Sequence, residues 1–221
     1  MPQVNAPAET TPGTTPSSVV AAFDFDGTLT RRDTLLPFLI RSLGWPKFLR
    51  ALLMSSPWLA AYALRLMSNH RAKARLLQVS LAGMSQREAQ AQAQVFVTSY
   101  LPVQWQPWGL AQLVQHQRLG HCCVIVSASP GVYLHTVAAS LGVDTVLCTE
   151  MELIEDHYTG GMATPNCHGE QKVVRLQAWL ADTFPPDARP VIHAYGDTRG
   201  DLPLLRLADH ASYRGKPWQD A

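Results

Sequence analysis

The twelve residues Val19–Thr30, VVAAFDFDGTLT, constrain the fold more than any other stretch of the chain. An unbroken apolar run, Val19–Phe23, ends in a carboxylate, Asp24. A strand that is apolar on both faces must be covered on both, which places it centrally in a parallel sheet flanked by helices. In open α/β sheets, ligands gather beyond the carboxyl ends of the strands. Asp24 and Asp26 stand two residues apart, so one pleat period aims both at one pocket. Gly27 then permits a sharp exit and a close approach of backbone to ligand. Two neighbouring carboxylates repel. They are compatible when a cation lies between them, or when one is a nucleophile and the other its acid/base partner.

The rest of the chain reads as a sheet interrupted early and then resumed. Asp33 caps a helix expected to run to about Leu43, before Gly44 and Pro46. Phe48–Ser55 and Trp58–Met67 are further apolar helical segments, divided at Pro57. Arg71–Leu81 and Ser85–Tyr100 follow, the latter with Ser85 and Glu88 at capping-box spacing. Trp108–Leu119 leads back to strands at His121–Ser127, Thr145–Thr149 and Val191–Tyr195, with a short last one at Ala211–Tyr213. Helices at Gly131–Leu141, Gly169–Phe184 and Leu202–Ala208 alternate with them, and Glu150–Ile154 with Tyr158–Met162 suggests a hairpin. The expected fold class is α/β: a Rossmann-like parallel sheet core with an inserted helical cap. The expected divisions are a disordered Pro/Thr/Ala-rich tail over 1–18, a core over 19–30 and 105–221, and the helical cap over 31–104.

The formal charge of +1 hides an asymmetry. Between Thr30 and Tyr100, ten basic residues face two acidic ones, a net +8 that leaves −7 for the remainder. A basic lobe over an acidic one suits an anionic substrate or surface; nucleic acid is not expected. The first 18 residues have neither the basic nor the apolar region of a secretory signal. Cys122, Cys123, Cys148 and Cys167 show no metal-ligand spacing and read as reduced, mostly buried thiols of a cytoplasmic protein.

Three later segments end at the same rim as the aspartate pair. Ser127 closes the strand in VIVSASP, Lys172 opens a helix, and Asp197 and Asp201 follow the strand VIHAYG. Ser127 and Asp201 also suit helix capping, and a lysine is most often solvated. Asp197 has no such alternative. The order D-x-D, Ser, Lys, D-x-x-x-D resembles the four signature motifs of the haloacid-dehalogenase superfamily of phosphohydrolases. The insertion between the first two motifs, and the stretch Asn166–Lys172, are similar to its phosphoserine-phosphatase-like subfamily.

That resemblance implies a phosphatase with Asp24 as nucleophile and Asp26 as general acid and base. It implies Mg²⁺ held by Asp24, the backbone carbonyl of Asp26 and Asp197, with Asp201 behind them holding a metal water or orienting Lys172. Ser127, Lys172, Gly27 and Thr28 would surround the phosphate of a small organic substrate. Asp26 argues against a dehalogenase, and Thr28 against the mutase branch. Phosphoserine fits less well: the subfamily's glutamate soon after the first motif is absent from TRRDTLLPFL, where Asp33 is the lone acid, and GDTRGD replaces GDGAND. A related branch contains phosphatidylglycerophosphate phosphatase, whose apolar cap faces a membrane. The uncharged stretch Ala51–Leu64 is similar, and is read first as cap core and second as a face lying on an anionic membrane. Readings from other classes are a phospho-receiver domain or a membrane-binding non-enzyme. The oligomeric state is not legible.

Overall fold

The computed structural model describes residues 18–66 and 69–220. Apart from Ser18, the expected tail lies outside them. Among the described residues, six strands form one sheet. They are β1 (Val19–Phe23), β2 (Cys122–Pro130), β3 (Thr145–Thr149), β6 (Val191–Gly196), β7 (His210–Tyr213) and β8 (Lys216–Trp218). The order is β3-β2-β1-β6-β7-β8, with β8 antiparallel to β7 and every other pairing parallel. A separate hairpin joins β4 (Met151–Ile154) to β5 (His157–Met162). The terminal strand β8 is absent from the sequence reading, since Lys216, Pro217 and Trp218 show no apolar alternation.

The apolar run works as a central strand should. Val20 and Ala22 face one layer, with Val124, Val126, Leu176, Leu204 and Leu205. Ala21 and Phe23 face the other, with Leu113, Tyr133, Leu134 and Val137. These two layers are supplied by α6 (Glu170–Thr183) and α7 (Leu202–Leu207) on one side, and by α4 (Pro107–Arg118) and α5 (Gly131–Leu141) on the other. Every residue of β1 after Val19 is fully buried. Hence the two-sided hydrophobicity that betrays it in the sequence.

Between β1 and β2 lies a helical insertion of α1 (Leu35–Ala63), α2 (Asn69–Leu81) and α3 (Gln86–Ser99). Helix α1 bends at Gly44, whose φ of 72° and ψ of 158° leave the helical region. It does not break at Pro57, contrary to the expectation from sequence. Proline lacks the N–H that would reach the carbonyl four residues back. Here the Ser56 hydroxyl donates to that carbonyl, Leu53 O, at 2.7 Å, so the orphaned acceptor is satisfied. The Ser85–Glu88 capping box forms at the start of α3. Phe38 of α1 meets Phe96 of α3 and Tyr133 of α5, tying the insertion to the core.

The stretch Ala51–Leu64 is not cap core. Ala51 and Ser55 are buried, but Leu53, Met54, Tyr62 and Leu64 are exposed, as are Trp45 and Leu49 before them. Helix α2 covers one side of α1 only, so the i, i+4 series Trp45, Leu49, Leu53 falls on the uncovered side. All four cysteines carry free thiols, and Cys123, Cys148 and Cys167 are buried.

Candidate active site

The chain leaves β1 through a tight turn in which the Phe25 carbonyl accepts from the amides of Thr28, Leu29 and Thr30. Gly27 sits at φ +91°, and a Cβ there would lie 2.1 Å from Asp197 Oδ2. Only glycine allows the turn and the carboxylate to share this space. The parallel register beside β6 carries Asp24 and Asp197 to the same edge of the sheet.

Helix α6 brings Lys172 beneath that edge. Its ammonium donates to Asp24 Oδ1 at 2.5 Å and to Asp201 Oδ1 at 2.6 Å, and all three side chains are buried. Asp201 Oδ2 accepts from Thr198 N at 2.9 Å, Thr198 Oγ1 at 2.8 Å and Asp197 N at 3.2 Å. Both its oxygens are thus engaged. Burial pushes the Asp24 carboxyl up to about 8; Lys172 pulls the other way, while Asp201 adds to the rise. Lys172 stays well above its ordinary range because Asp24 and Asp201 outweigh its own desolvation. Burial also raises Asp197, helped by Asp201. Carboxylates so held are short of positive charge.

The donor set suits a hard divalent cation. Oxygens of Asp24, Asp197 and Asp201 lie within 4.8 Å of one another, and carboxylate oxygens are what Mg²⁺ takes. The Asp26 carboxylate is turned elsewhere. Its Oδ1 accepts from Thr34 N at 2.8 Å and Thr34 Oγ1 at 2.6 Å, and its Oδ2 accepts from the Ser129 hydroxyl. Tyr133 donates to Ser129 Oγ at 3.0 Å and lies 2.9 Å from Thr34 Oγ1. Burial, with Asp33 adding, raises Asp26 to about 6 despite the bonds from Ser129 and Thr34.

These groups line a cleft of about 850 Å³. Asp24, Asp26, Gly27, Ser127, Lys172, Asp197 and Asp201 all reach it. Thr28 does not: it is fully buried, and its hydroxyl faces Asp197 Oδ1 at 3.4 Å. Ser127 Oγ accepts from Ser129 N at 3.1 Å, which leaves its own proton free to donate. Sequence reasoning missed Ser129, Thr34, Tyr133 and Lys73. Ser129 was within reach, because it stands one pleat period after Ser127. Lys73 comes from α2, lines the cleft and donates to Ala128 O at 2.8 Å. Burial lowers its pKa against the pull of Asp26, Asp33 and Asp24.

A family model for haloacid dehalogenase-like hydrolases matches residues 21–206, nearly the whole of this architecture. The chain belongs to that family. Protein CicA of Caulobacter vibrioides is 34% identical over 203 residues, covering 90% of this chain and 88% of the relative. A probable phosphatase of Mycobacterium tuberculosis is 28% identical over 217 residues, 95% of this chain and 74% of that one. Among solved structures, a probable phosphoserine phosphatase from Vibrio cholerae superposes with a TM-score of 0.63 at 11% identity, covering 90% of this chain and 57% of that one. The fold is therefore shared with the Vibrio cholerae protein, and the chain is a haloacid dehalogenase-like hydrolase.

Proposed function

We propose that this protein is a Mg²⁺-dependent phosphomonoesterase that works through an aspartyl-phosphate on an organic phosphate. The observation that carries the reading is Asp24: a buried carboxylate at the cleft floor, held by Lys172 and adjoined by Asp197 and Asp201. Its free oxygen, Oδ2, is the nucleophile toward phosphorus, and the leaving group departs on the opposite side. Asp26, with a pKa of about 6, supplies the proton to the leaving oxygen and later takes one from the hydrolytic water. Ser129 and Thr34 fix its orientation. Ser127 and Lys172 donate to the phosphoryl oxygens, where charge must be stabilised. Asp24, Asp197 and the Asp26 carbonyl would hold Mg²⁺, with Asp201 positioning Lys172; the ion supplies charge neutralisation and lowers the repulsion between phosphate and carboxylate.

The lining of the cleft supports one class of substrate over others. Arg31, Arg32 and Arg199 stand at its rim, and Leu35, Leu36, Leu59, Tyr62 and Leu76 form one wall. Basic rim and apolar wall fit a phosphate whose organic part is apolar. Asp33 is the acid of the insertion that faces this cleft, so a substrate ammonium has one partner there at most. Turnover of aryl and alkyl phosphates with Mg²⁺ and with EDTA tests the reading. Asp24→Asn should lose at least ~10³-fold activity while staying folded, since an amide cannot form the acyl phosphate. Asp26→Asn should slow alkyl phosphates more than aryl ones. Activity that survives EDTA, or a folded Asp24→Asn protein that turns over normally, removes the mechanism.

A lipid phosphate is the second reading, favoured by the exposed side of α1. Trp45, Leu49, Leu53 and Leu64 are 68%, 52%, 64% and 70% exposed, and Arg41, Lys47, Arg50 and Arg65 flank them. Leu59 and Tyr62 of the same helix line the cleft. An apolar stripe between cations suits an anionic bilayer surface. No helix of the described residues is long and apolar enough to cross a membrane. Binding to anionic but not neutral vesicles, weakened by salt and by Leu53→Glu, is the expected result. Equal sedimentation with and without vesicles returns the reading to a soluble substrate.

A further inference from the structure

A second cluster of ligating side chains lies outside the cleft lining, at the carboxyl end of β3. Cys148 is the fourth residue of that strand, and Glu150 follows immediately after it. His135 reaches them from α5. His135 Nε2 and Glu150 Oε1 are 2.8 Å apart, the Cys148 thiol donates to the same oxygen at 3.1 Å, and sulfur and imidazole are 3.9 Å apart.

We propose that His135, Cys148 and Glu150 bind a single zinc-class divalent cation, distinct from the hard cation of the cleft. Zinc takes thiolate, imidazole and carboxylate at about 2.0–2.3 Å, and a tetrahedron with those bond lengths has edges of roughly 3.3–3.6 Å between ligand atoms. The observed separations bracket that range, so shifts of a few tenths of an ångström complete the shell. The mixed S, N, O donor set selects against Mg²⁺, which demands oxygen. Thiolate and carboxylate together carry two negative charges, which balance the ion.

The surroundings leave room for it. Gly131 opens α5 directly against the cluster; a Cβ there would lie 2.4 Å from Glu150 Oε2 and 3.0 Å from His135 Nε2. His135 is exposed, so water has access to a fourth position. Glu150 is fixed through its backbone, donating to Thr164 Oγ1 and accepting from Ala163 N, both at 2.9 Å. Arg175 donates to the Cys148 carbonyl and to Pro165 O, and so holds the strand end and the segment after the hairpin together. Burial and the Glu150 carboxylate keep the free thiol well above its ordinary value. Binding therefore releases the Cys148 proton to solvent and displaces the Nε2 proton that His135 gives to Glu150 in the free cluster: a neutral ring takes a proton back at Nδ1, and a ring charged beforehand loses one. The ion would clamp the root of the β4–β5 hairpin to α5. The other end of that hairpin already grips the helical insertion, through Gly83 N to Tyr158 O at 2.8 Å and Tyr158 N to Met84 O at 2.9 Å.

The test is titration of the full chain with Co²⁺ in excess Mg²⁺, which keeps the cleft carboxylates occupied. One equivalent should give a thiolate-to-cobalt charge-transfer band in the near ultraviolet, displaced by Zn²⁺. Cys148→Ser should lose the band and Cys122→Ser should keep it. His135→Ala alters an exposed residue and so preserves the fold. In competition with a chromophoric chelator, it should weaken Zn²⁺ binding by at least the ~10–100-fold that loss of even an outer-shell partner costs. Apparent affinity should rise with pH by at least one proton per ion, the Cys148 proton, with a second wherever His135 is charged beforehand. No charge-transfer band, a band that survives Cys148→Ser, or Zn²⁺ affinity unchanged in His135→Ala overturns the site.

Discussion

At the carboxyl ends of β1 and β6, Asp24 and Asp201 share the ammonium of Lys172. Toward the amino ends of β2, β6 and β7, four imidazoles gather instead: His116 from α4, His121, His193 and His210. One end of the sheet buries charge, and the other gathers imidazoles about a single buried ring, His116. Tyr195 donates its hydroxyl to Gln112 Oε1 at 3.2 Å and so accepts from His116 Nε2 at 2.8 Å. His116 Nδ1 is then left to accept from His121 Nδ1 at 2.7 Å. A proton added to His116 would set two N–H groups against each other. Burial, reinforced by His193 and His121, lowers His116 to about 4. The carboxylate end lacks any such neutral arrangement. Its negative charge is tolerated because the Lys172 ammonium adjoins it.

The comparison breaks hardest at Lys172. Lys172→Ala leaves Asp24 and Asp201 buried without their cation, and should cost about 3–5 kcal/mol in urea unfolding without divalent ions. The loss should shrink in Mg²⁺, and also at low pH, where protonation relieves the same repulsion. An equal loss under all three conditions would mean that Lys172 acts by packing alone.

A smaller effect is expected at Gly27. A methyl group there meets Asp197 Oδ2 on a backbone at φ +91°, so Gly27→Ala should cost about 1–3 kcal/mol. It should also weaken Mg²⁺ dependence by displacing Asp197. Wild-type metal titration and stability in this variant would show that turn and carboxylate move independently.

The histidine end gives the smallest change and the opposite sign of pH dependence from a paired cation. An unfolded His116 protonates near 6.5, whereas the folded one resists until about 4. Its stabilisation is complete above about pH 6.5 and is lost as pH falls from there toward 4. His193, lowered by burial together with His210 and His121 against the pull of Asp209, adds to the same limb. His116→Gln should cost about 1 kcal/mol at neutral pH through its hydrogen bonds, and should flatten the acid limb of stability between pH 6.5 and 4. An unchanged acid limb would assign that slope to other groups.

What the sequence determined by itself is local. The run Val19–Phe23 fixes β1 because two-sided burial leaves no polar position. Asp24, Asp26 and Gly27 follow it at spacings that only the pleat and a positive φ need explain. Ser85 and Glu88 cap α3 because both capping bonds close within four residues. The family of the chain, and Asp24, Asp26, Gly27, Ser127, Lys172, Asp197 and Asp201 of the cleft lining, were legible for that reason: each sits at or just beyond the end of an element whose period is visible.

Only the tertiary structure decided the rest. Lys172 meets Asp24 across 148 positions of sequence, and Ser129 meets Asp26 across 103. Thr28 sits in the motif, yet it is buried behind the cleft lining with its hydroxyl on Asp197, a placement set by how the turn packs. Pro57 passes through α1 because Ser56 satisfies the carbonyl it orphans, and whether a side chain takes up that bond is a matter of rotamer and packing. Leu53, Met54, Tyr62 and Leu64 of the apolar stretch are exposed while Ala51 and Ser55 are buried, because α2 covers a single side of α1. His135, Cys148 and Glu150 show no ligand spacing, and they converge because α5 and β3 are packed against each other. Periodicity is a property of one segment. Coincidence in space belongs to pairs of segments, and hydrophobic burial, which sets it, is blind to the polar groups it brings together.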